Sequence, residues 1–138
     1  MFPNGTVWAN LNDGEGYDLV LLGQADGGAL NLDEAQRRFQ SAGRAMVASS
    51  LQEVGFGSLA GLLSTYAGHA SDMRDWLAGA EINRDRSLRL QYLAGMQLHQ
   101  YLGGRIYNDM VSYRRPLGDR VIASPALREE LQRWVAED

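Results

Sequence analysis

The pattern of apolar and polar positions changes character once along this chain: Phe2 to Gln24 reads as two strands around a glycine-bearing turn, and nearly everything after reads as helix. Thr6 to Asn10 carries β-branched and aromatic residues behind a Pro3-Asn4-Gly5 turn signal, which predicts a first strand. Asp18 to Gly23 holds the unbroken apolar run Leu19-Val20-Leu21-Leu22. A strand covered on both faces reads this way, whereas a strand with one wet face alternates. Asn12-Asp13-Gly14-Glu15-Gly16 supplies a turn longer than a minimal two-residue loop. An isolated hairpin is marginal in water, and no third strand is legible downstream. The hairpin is therefore expected either to end a sheet whose other strands lie upstream or to complete a sheet with a second copy of the chain. Met1 leads at once into Phe2-Pro3, an abrupt start that fits the first alternative.

Ala25 to Asn31 predicts a glycine-containing linker, so the main boundary falls after Gln24: residues 1–24 form a β-hairpin and residues 25–138 a helical region. Asn31 or Asp33 is placed to cap a helix running to about Ser41, with Glu34 in its first turn. Met46, Val47, Leu51 and Val54 fall at helical spacing, and Gly55 is positioned to end that helix. Ser58 caps a third, whose stripe is Leu59, Leu62, Leu63 and Tyr66 before Gly68. Ser71 opens a short helix carrying Met73, Trp76 and Leu77. From about Leu88 a longer helix follows, interrupted by Gly103-Gly104 and closed by Arg114-Arg115-Pro116. Val121-Ile122 suits a short extended piece. The final helix has Ser124 as cap, Pro125 at its first position and the stripe Leu127, Leu131, Trp134, Val135. The expected class is α+β, mostly α.

Composition narrows the function classes. The 138 residues suffice for one domain with a core, and 45% hydrophobic with 22% charged is ordinary for a soluble globular chain. A net charge of -4 argues against nucleic acid or an anionic membrane as partner, since both call for a concentrated positive field. No apolar run approaches the roughly 20 residues of a membrane span, and no basic-then-apolar leader opens the chain. The absence of cysteine removes disulfides and thiolate metal sites, and it fits a cytoplasmic location.

Candidate chemistry is sparse. His69 and His99 are the only histidines and lie far apart without regular carboxylate spacing, so no metal site is expected. The glycines lack the strand-loop-helix context of a phosphate loop. No catalytic residue is assigned to this chain. Asn83, Asp85 and Tyr92 belong to a dense polar stretch in which Asp85 stands among Arg84, Arg86 and Arg89, the pattern of a structural ion network or of a polar site.

Two stretches carry a resemblance. Phe2-Pro3-Asn4-Gly5-Thr6-Val7-Trp8-Ala9-Asn10 with Gly16-Tyr17-Asp18-Leu19-Val20-Leu21-Leu22-Gly23-Gln24 resembles the end of the catalytic domain in spermidine synthase-like proteins of the fused bacterial type. Ile82-Asn83-Arg84-Asp85-Arg86-Ser87-Leu88-Arg89-Leu90-Gln91-Tyr92 resembles the Asn-Thr-Asp-Asp-x-Pro-x-x-Glu-Tyr segment near the end of such chains, departing from it at Arg84, Ser87 and Gln91. The resemblance implies a methyltransferase-like Rossmann sheet ending in an antiparallel hairpin, with Leu19 to Leu22 as the buried inner strand and Thr6 to Asn10 as the exposed edge. It also implies aminopropyl transfer from decarboxylated S-adenosylmethionine to a polyamine, with Phe2, Val7 and Trp8 on the polyamine side. Phe2 stands where the family has a tyrosine, and so lacks its hydroxyl. The family's cofactor loop and catalytic aspartate lie upstream of the hairpin, so this chain alone is expected to bind no cofactor and to be inactive, its partner being an upstream catalytic region or a second copy in a homo-oligomer. The alternative is a non-catalytic helical interaction or oligomerisation module.

Overall fold

The computed structural model describes residues 4–12, 15–23, 25, 27–97, 102–117 and 120–136, with the side chains of 11, 12, 15–17, 94, 95, 97 and 134–136 left undescribed. The described elements are α+β. In chain order they are β1 (Thr6–Asn12), β2 (Glu15–Leu22), β3 (Leu30–Asn31), α1 (Leu32–Phe39), α2 (Ala45–Glu53), α3 (Leu59–Leu63), β4 (Tyr66–His69), α4 (Arg89–Gln97), α5 (Gly103–Ser112), β5 (Val121–Ile122) and α6 (Pro125–Ala136). Two compact units emerge, each discontinuous in sequence. One joins Met1–Gly23 with Ala67–Arg115, the other Gln24–Tyr66 with Pro116–Asp138.

The first unit holds an antiparallel sheet in the order β2-β1-β4. The β1–β2 pairing runs from Thr6 opposite Leu22 to Asn12 opposite Glu15, with an irregularity at Asn10/Leu11. The register slips there because Asn10 faces Asp18 while Leu11 faces Gly16, leaving Tyr17 as an extra residue in β2. Directly paired residues point to one side of a sheet, so Val7, Ala9, Leu19 and Leu21 share a face, and Thr6, Trp8, Val20 and Leu22 share the other. The first face is the structured one. Ala9 packs with Ala67, Met73 and Met110, and Val7, Trp76, Tyr107 and Val111 lie against that cluster.

Four expectations are corrected here. Leu19 to Leu22 is not a buried strand: β2 lies at the sheet edge and these four residues are 45%, 53%, 74% and 53% exposed. Thr6 to Asn10 is not the edge but the middle strand, with Ala9 almost fully buried. A third strand does exist downstream, because the helix at Leu59 stops at Leu63 and Tyr66–His69 turns into β4. Its small residues explain both points: Ala67 is fully buried, and Gly68 at φ +153° leaves its Cβ position to the terminal methyl of Met73. Beyond β4, the stretch expected as a helix from Ser71 is a single 3-10 turn, Asp72–Arg74, followed by irregular turns.

The second unit is helical around Leu32, Leu59, Ala60, Leu63, Val121 and Leu127, all buried. Asn31 is the N-cap of α1, its Oδ1 accepting from the Glu34 amide at 2.9 Å. Asp33, the other cap considered, accepts instead from the Ser124 amide at 3.1 Å, just ahead of α6. α2 ends as Gly55 predicts: at φ +95° its amide donates to Gln52 O at 3.1 Å and the Phe56 amide to Leu51 O at 2.8 Å, which is the Schellman pattern. The stripe on α2 is not buried, however. Met46, Val47 and Val54 are exposed and only Leu51 is half-buried. Ser58 caps α3 by accepting from the Gly61 amide at 3.0 Å, and α3 packs on α6. The extended piece at Val121-Ile122 is β5, pairing in parallel with Leu30–Asn31, a segment expected to be linker. Arg128 donates to Val121 O and Ala123 O, both at 3.2 Å, holding the start of α6 to that strand. Leu127 is buried and Leu131 half-buried; the side chains of Trp134 and Val135 lie outside those described.

Candidate functional site

The residues expected on the polyamine side fall on or beside β1. Phe2 lies outside the described residues. Val7 and Trp8 are consecutive strand positions, so their side chains leave opposite faces of the sheet. Val7 is half-buried against the Ala9, Met73 and Met110 cluster. Trp8 lies on the face shared with Val20 and Leu22, its indole Nε1 donating to Thr6 Oγ1 at 2.8 Å. One wall of a pocket can therefore take one of the two; Val7 faces the core cluster, while the face that carries Trp8 also carries the exposed Val20 and Leu22.

The polar stretch is a closed turn. Asn83 Oδ1 accepts from the Leu90 amide at 3.1 Å, supplying an acceptor to one of the donors that the start of α4 leaves without an intrahelical partner. The Ser87 and Leu88 amides both donate to Arg84 O, at 2.8 and 3.0 Å. Leu88 sits at φ +44°, a left-handed conformation unusual for a branched side chain. Arg89 pairs with Glu81 at 2.9 Å, with both side chains largely in water, so this pair contributes little. Asp85 is exposed at the turn, and Tyr92 is 69% exposed on α4. Asn83 thus reaches the helix that carries Tyr92 through its backbone, and it acts there as a structural cap.

Two arrangements escape sequence reasoning. Trp76 Nε1 donates to Asp109 Oδ2 at 2.9 Å, tying the turn after β4 to α5. Thirty-three residues separate the partners, and only the apolar stripe marked Trp76 in the sequence. The second is local. His69 Nδ1 accepts from the Ser71 amide at 3.1 Å and lies 2.9 Å from Ser71 Oγ, fixing the ring over the turn that leaves β4. No group of three potential metal ligands occurs among the described residues, and His99 is outside them. Among the described residues no helix is long and apolar enough to cross a membrane.

Among the described residues, the titration of Glu34 is clearly displaced. A hydrogen bond from Arg38 Nε at 2.7 Å holds its carboxyl below the usual glutamate range; desolvation opposes this, and the charges of Arg37 and Arg38 add to it. Glu34 occupies the first turn of α1 and faces no other candidate group, so the shift belongs to helix stability. No protein-family profile, curated protein or solved structure matches this chain.

Proposed function

We propose that this chain is the C-terminal segment of a spermidine synthase-like aminopropyltransferase, closing the polyamine side of a site whose cofactor-binding and catalytic groups lie in an upstream region. The observation that supports this reading is β2. It is an edge strand whose residues Leu19 to Leu22 are apolar on both faces and exposed. The resemblance gives that same strand inner neighbours, namely the Rossmann-like sheet of the catalytic region. Pairing there would satisfy its free backbone groups and cover both apolar faces.

In the full reaction an upstream carboxylate takes a proton from a polyamine amine, whose nitrogen then attacks the aminopropyl carbon of decarboxylated S-adenosylmethionine. The N–C bond forms, the C–S bond breaks, and the thioether leaves. This chain contributes the wall on which the substrate rests. Trp8 suits that role, since its ring offers an apolar surface to methylenes and a π-face to an ammonium. Val7 supports the strand from behind, through the core.

The test mixes the isolated chain with a catalytic region of this family lacking its own last two strands, and follows aminopropyl transfer to putrescine. Transfer restored by the chain, and lost with Val20→Lys, is the expected result. Failure to restore it, with the chain assembling only with itself, replaces this reading by the oligomerisation module. Turnover by the chain alone, well above a heat-treated control, overturns the assignment as an incomplete enzyme.

A further inference from the structure

We draw no further inference here: the strongest candidate, the patch of exposed apolar side chains Ile82, Leu88, Leu90, Tyr92 and Met96 leading into and along α4, carries none because nothing in the structure shows what covers it.

Discussion

Gly68 and Glu34 show how much a single position decides in this chain. A methyl group added at Gly68 meets the end of the Met73 side chain, which is itself only 2% exposed, and the backbone there has a φ of +153°. Gly68→Ala should therefore cost about 1 to 3 kcal/mol, the usual range for overpacking a filled core. Denaturant midpoints measure the loss, and the same substitution made in a Met73→Ala background separates its causes. A penalty that shrinks there comes from the clash; one that persists comes from the backbone. Glu34 works through charge. Because its folded carboxyl titrates below the ordinary value, its contribution to stability is complete above the ordinary glutamate range and is lost as pH falls through the lowered value. In an NMR titration Arg38→Ala should move the Glu34 midpoint upward, and by more than Arg37→Ala does. Equal shifts would mean that the hydrogen bond from Arg38 is not the leading cause. The candidate site was legible at this scale only in part. That Val7 and Trp8 face opposite ways follows from strand alternation, whereas the bond from Trp76 to Asp109 joins residues no local pattern connects.

Among the elements, local chemistry was readable and partnership was not. Asn31, Ser58, Gly55 and Pro125 mark real helix ends because caps are decided within a few residues. The strand β4 was missed because Tyr66-Ala67-Gly68-His69 has little intrinsic strand preference and is extended by its pairing with β1. β3 and β5 are two residues each and exist only as each other's partner. β2 is the reverse case: its apolar run reads as a covered strand, yet among the described residues α5 is the helix that packs on it, and Leu19 to Leu22 stay 45% to 74% exposed. Unprotected edges of this kind pair with other chains, and Leu19 to Leu22 contains no lysine, proline or register shift that would discourage it. The isolated chain should accordingly self-associate as its concentration rises. Val20→Lys should return it toward a monomer while leaving its stability within about 0.5 kcal/mol, because Val20 is already 53% exposed. Sedimentation across a concentration series reads both. A folded parent that stays strictly monomeric would remove the support that β2 lends to the proposed function.

At the scale of the whole molecule, each compact unit is assembled from two stretches far apart in sequence. Each core therefore depends on side chains that join those stretches. In the first unit Met110 of α5, 4% exposed, packs with Ala9 of β1 and Ala67 of β4. In the second, Leu127 of α6, 5% exposed, belongs to the helix that packs on α3. Truncating either removes a large apolar group and leaves a cavity, so Met110→Ala and Leu127→Ala should each cost about 2 to 5 kcal/mol. Denaturant unfolding measures the loss, with the slope checked so that a changed midpoint can be read as stability. Native-state hydrogen exchange then tells where it falls. Met110→Ala should lower protection first in β1, β4 and α5, and Leu127→Ala first in α1, α3 and α6. A loss below about 0.5 kcal/mol for Leu127→Ala, the scale of ordinary surface substitutions, would show that α6 does not anchor its unit. Its apolar stripe would then be free for a partner, and the interaction module would become the better account of the helical region.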